Sequence, residues 1–150
     1  MEIESYITGL TEGEGCFCVS FNQRKRLNTG IEVRPSFSIS QNKKNLNLVK
    51  EVQSFFKCGS IRFSKRDNTY KYEVRSIDNL INVIIPHFIS FPLIGIKAQD
   101  FQKFSQICKM IKSNLHRSNS KLEELIDLAY EINLGKRRYK KDELLRHIIR

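Results

Sequence analysis

The sequence predicts an α+β domain of order α-β-β-α-β-β-α-α, an antiparallel four-stranded sheet with helices on one face. Three observations carry this expectation. Two pairs of short runs alternate apolar and polar residues, and each pair is joined by a polar, hairpin-sized loop. Apolar residues at helical spacing precede, separate and follow those pairs. Strands paired locally, with helices between and after them, belong to α+β rather than to wound parallel folds. A length of 150 residues suits one domain, 1–150, and no internal repeat is visible.

The elements follow in order. Residues 1–14 form a short helix. Phe17, Val19 and Phe21 then alternate with Cys16, Cys18, Ser20 and Asn22 as a strand. After a basic, polar loop from Gln23 to Gly30, Ile31, Val33, Pro35, Phe37 and Ile39 alternate with Glu32, Arg34, Ser36, Ser38 and Ser40. Pro35 points inward by register, which predicts a bulge or an edge position there. Leu46, Val49, Val52, Phe55 and Phe56 recur as a helix from Asn45, closed by Gly59. Ile61 and Phe63 oppose Arg62 and Ser64 in a third strand. Asp67-Asn68-Thr69 turns the chain, and Tyr70, Tyr72 and Val74 alternate with Lys71, Glu73 and Arg75 in a fourth. The sheet region therefore covers 16–76 and a helical part covers 79–150. That part holds a helix from Asn79 stopping before Pro86, a loop at 91–96, and a helix through Phe101, Phe104, Ile107, Cys108 and Ile111. It continues with a helix from Leu122 to Ile132, a basic link from Lys136 to Lys141, and a short helix over 144–149.

A net charge of +10 points to a polyanionic partner, with nucleic acid the first candidate. Four cysteines without a C-x-x-C, and histidines far from them, predict free, mostly buried thiols rather than a metal centre. The N-terminal residues have neither a signal-peptide pattern nor an Arg-rich transit pattern, and no membrane role is expected. Abundant Ile, Lys and Asn suggest encoding in an AT-rich genome, consistent with an organelle, mitochondrion or chloroplast.

The side of the sheet opposite the core carries Ser20, Asn22, Arg24, Glu32, Arg34, Ser36, Ser38, Ser40, Arg62, Ser64, Lys71, Glu73 and Arg75. An ordinary solvated face is also polar. This one is rich in the groups that read base edges in a DNA major groove, where a β-ribbon fits. Lys25, Arg26, Lys65 and Arg66 fall at the hairpin tips, where they would reach phosphates, and Lys43, which follows Gln41 closely and would line the same pocket, is a further candidate for DNA contact.

The most informative stretch runs from Tyr6 to Phe17, Tyr-Ile-Thr-Gly-Leu-Thr-Glu-Gly-Glu-Gly-Cys-Phe. Gly9 and Gly13 lie one helical turn apart and leave a groove into which another helix backbone can fit. Glu12 and Glu14 sit at the helix end, where the macrodipole favours cations, so they call for a compensating positive charge. Ile7 to Gly15 resembles the signature of the LAGLIDADG homing endonucleases, single-motif type, with Glu at both acidic positions and Thr8 and Thr11 at small or apolar ones. The resemblance covers essentially the whole chain.

It implies a saddle-shaped sheet and a homodimer meeting through Tyr6, Gly9, Leu10 and Gly13, on long, nearly palindromic double-stranded DNA. It implies Mg²⁺ held by Glu14 with Gly13 beside it, Mn²⁺ or Ca²⁺ being able to substitute in binding. Glu12 then has a structural role, Gln41 orients water, and Lys97 stabilises charge on the phosphate. The implied activity is metal-dependent hydrolysis of both DNA strands in intron homing. The alternatives are an intron RNA-binding maturase and a catalytically inactive DNA-binding protein.

Overall fold

The computed structural model describes residues 2–132 and 137–150. Helix α1 (Ile3–Glu14) leads directly into β1 (Gly15–Gln23), which is followed by β2 (Ile31–Asn42). A 3₁₀ turn, Lys43–Asn45, enters α2 (Leu46–Phe56), and the hairpin of β3 (Ser60–Ser64) and β4 (Thr69–Val74) follows. The strands form one antiparallel sheet in the order β1-β2-β4-β3. Beyond it lie α3 (77–90), α4 (Ile96–Lys112), α5 (Asn119–Ala129) and α6 (Lys141–Arg146). No helix among the described residues is long and apolar enough to cross a membrane.

The core sits where the alternation predicts. Phe17, Val19, Phe21, Ile31, Phe37, Ile39, Tyr72 and Val74 are buried on one face of the sheet. Helical residues such as Val49, Val52, Phe88, Phe104, Ile107 and Leu125 close over them. Phe17 anchors the packing, its ring 5.2–5.5 Å from those of Phe37, Phe88, Phe101 and Phe104. Pro35 pairs with Val19 of β1, whereas β4 pairs with β2 only from Phe37 onward. The proline thus occupies a stretch of β2 with one strand neighbour, where a missing N–H breaks no ladder.

Several boundaries differ from the sequence expectation. The helix from Ile77 does not stop before Pro86. It widens into a π turn at Leu80–Ile84, with the Ile85 N–H reaching Leu80 O, and resumes as α-helix over Ile85–Ser90. A proline cannot donate to a regular helical ladder, and the wider turn shifts the pairing around it. Burial of Ile84, Ile85 and Phe88 holds the continuation in place. At the end of α2 it is Lys57, with φ 58°, that takes the left-handed cap. Gly59 (φ +89°) serves the approach of Tyr72 instead, because a Cβ there would lie 2.7 Å from the Tyr72 ring. α4 begins at Ile96 rather than near Phe101, and the terminal helix spans Lys141–Arg146 rather than 144–149. None of the four cysteines is in a disulfide among the described residues, and of the four only Cys108 is buried.

The C-terminal residues return to the β1–β2 turn. The Ile149 N–H donates to Thr29 O at 2.8 Å, and Asn119 Nδ2 donates to Ile149 O at 2.9 Å. Gly30 has φ +81° and no room for a side chain, since a Cβ would come within 2.7 Å of Ile149 Cγ1.

Candidate nucleic-acid interface and acidic centre

The end of α1 sorts its two acids by environment. Glu12 Oε2 accepts hydrogen bonds from the Ile94 and Gly95 N–H groups, at 2.7 and 3.0 Å, and so ties the loop before α4 to α1. Lys97, on the first turn of α4, donates through Nζ to Thr11 O (3.0 Å) and Glu12 O (2.9 Å). Carbonyls of a last helical turn lack a full set of partners, and a cation placed there offsets the dipole. Glu14, the last residue of α1, is exposed, and its carboxylate pairs with no described residue. Glu14 and the Lys97 ammonium therefore share one helix end. Gln41 lies close in register, because Gly15 pairs with Ile39 and β2 runs on past that junction. Its amide is occupied locally, Nε2 donating to Ser40 O and Oε1 accepting from Asn45 Nδ2. No bond links Gln41 to Glu14 or Lys97 among the described residues.

The donor set can be tested against a divalent cation. Glu14 offers one unpaired carboxylate, and the exposed backbone at Gly13 a carbonyl. Among the described residues there is no group of three or more His, Cys, Asp or Glu that could hold a metal. Mg²⁺ requires about six oxygens in near-octahedral geometry and takes several from water and phosphate. These residues fit such an ion as part of its shell, the rest coming from outside the chain.

The two faces of α1 differ sharply. Ile7, Thr8 and Thr11 are buried against the domain. Thr8 Oγ1 donates to Phe91 O at 2.9 Å and also lies 3.1 Å from His87 Nε2, so with its proton used it must accept from the imidazole there. His87 is ringed by Phe55, Phe56, Phe88 and Phe91, and burial holds its pKa below the ordinary value against a small opposing effect of Glu4. On the other face a Cβ added at Gly9 or Gly13 would meet nothing within 4 Å. Tyr6 is 39% exposed beside them and Leu10 is half-buried.

The sheet's outer face is organised by strand register. Asn22 stands opposite Glu32, Ser20 opposite Arg34, and Cys18 opposite Ser36. Across the middle of the sheet, Cys16, Ser38, Glu73 and Ser60 form one row, and Ser40, Lys71 and Arg62 the next. Each acid holds two arginines. Glu32 pairs with Arg24 (3.2 Å) and Arg34 (2.6 Å), and Glu73 with Arg75 (3.1 Å) and Arg62 (3.7 Å). Arg24, Arg34 and Arg75 are pinned through Nε and keep their terminal N–H groups for a partner, whereas Arg62 is held through Nη2, so the two acids orient these arginines. Lys25, Arg26, Lys65 and Arg66 are exposed at the two hairpin turns, Lys43 is exposed after β2, and Ser64 is half-buried on β3.

One expected contact needs correction. Ser38 is only 7% exposed, because neighbours stand on both sides of it in the central strand. Sequence reasoning left out Cys16, Cys18 and Ser60, although the same alternation puts them on this face. The basic run from Lys136 to Lys141 reads from sequence as a phosphate contact beside the sheet or a solvated link, and neither reading foresees that Arg138 Nη1 donates to Asn22 Oδ1 at 2.9 Å. Of the basic run from Lys136 to Lys141, Lys136 lies outside the described residues, and Lys141 pairs with Asp127 at 2.7 Å. Arg137 is turned inward.

This arrangement of helix end, saddle and basic turns has close counterparts. The model of the LAGLIDADG endonuclease family matches residues 7–108, and the chain belongs to that family. A probable intron-encoded endonuclease 2 of Neurospora crassa is 33% identical over 132 residues, covering 87% of this chain and 29% of its own length. The chain thus spans less than a third of that relative. The crystal structure of the homing endonuclease I-TnaI superposes with a TM-score of 0.86 at 29% identity, covering 96% of this chain and 94% of that one. I-LtrWI, a LAGLIDADG homing endonuclease solved bound to its target DNA, superposes with a TM-score of 0.84 at 29% identity, covering 87% of this chain and 44% of its own.

Proposed function

We propose that the protein is a homodimeric, Mg²⁺-dependent endonuclease that cuts both strands of a long, nearly palindromic DNA site and serves intron homing. The observation that carries the reading is the unpaired Glu14 carboxylate, at the end of a helix whose outer face is bare glycine, with Lys97 held beside it. Family membership supports the nuclease chemistry. The matched fold unit fills I-TnaI almost whole but under half of I-LtrWI, as expected if two such units make one working molecule. Intron-encoded relatives and the Ile-, Lys- and Asn-rich composition support an organelle origin.

Apposition of two α1 helices through Gly9 and Gly13 brings two Glu14 side chains toward one two-fold axis. Each carboxylate, with the Gly13 carbonyl, would hold one side of a metal site that DNA phosphates complete. The bound metal supplies an activated water and offsets charge on the phosphate. Lys97 uses two of its ammonium protons on α1 carbonyls, and the third remains for a phosphate oxygen. Gln41 is fixed by Ser40 and Asn45 and would present its remaining amide proton to solvent at the strand end. The sheet would lie in the major groove with the basic turns on the backbone.

The test compares the intact protein with Glu14→Gln on a target plasmid in Mg²⁺. Cleavage is expected to vanish while DNA binding persists. Cleavage at an unchanged rate would remove Glu14 from the chemistry.

A further inference from the structure

We propose that Arg138 is a specificity-determining residue, which sets what Asn22 reads and biases that position toward guanine. The inference rests on the DNA-binding reading above and adds to it a residue outside the sheet.

The placement of Arg138 is built by its neighbour. The Arg137 guanidinium donates to Val19 O of β1 at 2.6 Å, to Ile132 O at 3.2 Å and to Ala129 O at the end of α5. It also lies over the Tyr130 ring, 4.6 Å from its centre. Val19 is on the outer strand of the sheet, so its carbonyl is available to a side chain. With residue 137 fixed from several directions, the next side chain emerges at the flank of β1. Arg138 there packs over Tyr139, 5.3 Å from its ring centre, and donates to Asn22 Oδ1.

That bond has a chemical consequence. A guanidinium has donors only, so it fixes the Asn22 amide with oxygen toward Arg138 and NH₂ away from it. A free asparagine reads adenine by donating to N7 and accepting from the N6 amino group. Here the oxygen is already engaged, and the pair presents N–H groups on both sides. Two donors match the N7 and O6 acceptors of guanine and leave the adenine amino group opposed. Arg24 and Arg34 pair with Glu32, and the side-chain bond to the Asn22 amide comes from Arg138.

The experiment is the base-preference profile of the intact chain, Arg138→Ala, Asn22→Ala and the double variant on a randomised duplex library. The intact chain is expected to prefer guanine at the base pair facing residue 22. Arg138→Ala should reduce that preference by about tenfold and shift it toward adenine, as expected for loss of one good base contact. It should leave the preferences due to Arg34 and Arg75 unchanged. In the Asn22→Ala background the same substitution should change preference much less, since the oriented amide is then gone. Arg138→Lys, which keeps a donor, should restore part of the guanine preference. A uniform loss on all sequences with a shallower salt dependence would make Arg138 a phosphate contact and overturn the proposal, as would unchanged preference. If the intact chain itself bound DNA with no sequence preference, the functional reading would fail first, which is a distinct result.

Discussion

Glu12 turns its carboxylate onto the backbone of Ile94 and Gly95, while Glu14, two residues along, faces solvent. The motif carries two identical side chains, and only the loop that packs beside α1 tells them apart. That loop comes from a distant part of the chain, so the division of roles that the family resemblance implies had no physical reason visible in the motif itself. Glu12→Ala leaves the two exposed N–H groups to water and should cost about 0.5–1.5 kcal/mol of stability. Urea denaturation measures it, and an unchanged midpoint would show that those bonds contribute nothing. Arg138 was illegible for a related reason. Its position depends on bonds from Arg137 to carbonyls of β1 and α5, and no periodicity in the sequence encodes those.

Among the elements, the strands were the most legible, because each face of a strand is written as a parity in the sequence. The rows across the outer face then follow from register alone. α3 was misread because Pro86 signals a stop locally, while the buried faces on either side of it favour continuation. α1 makes a prediction with two opposite signs. Gly9 lies mid-helix with free space outward, so Gly9→Leu should stabilise the isolated chain by about 0.5–1 kcal/mol through helix propensity. The same side chain fills the groove between two apposed helices. Thermal melting of the single chain should rise while sedimentation shows weaker self-association. Undiminished association would exclude this face from the contact.

For the molecule as a whole, the buried imidazole gives stability a pH dependence. His87 resists protonation because of its apolar surroundings, whereas an unfolded chain binds that proton near the ordinary value of about 6.5. His116 is held low too, by burial and then by Arg117. The unfolded state therefore binds more protons in this range, and stability rises with pH. It is expected to be complete above about 6.5 and to decline as the pH falls toward 5. Urea midpoints at several pH values check this. His87→Gln, which keeps a donor for Thr8, should flatten the slope.

The hydrogen bond from Ile149 to Thr29 joins residues far apart in the chain. Local pairing can zip the first hairpin early, but its tip acquires its final support only when residues 147–149 arrive. On the ribosome, the groove-facing surface would stay loose at one corner until residues 147–149 had left the exit tunnel. A chain that lacks those residues would thus be a poor binder of nucleic acid.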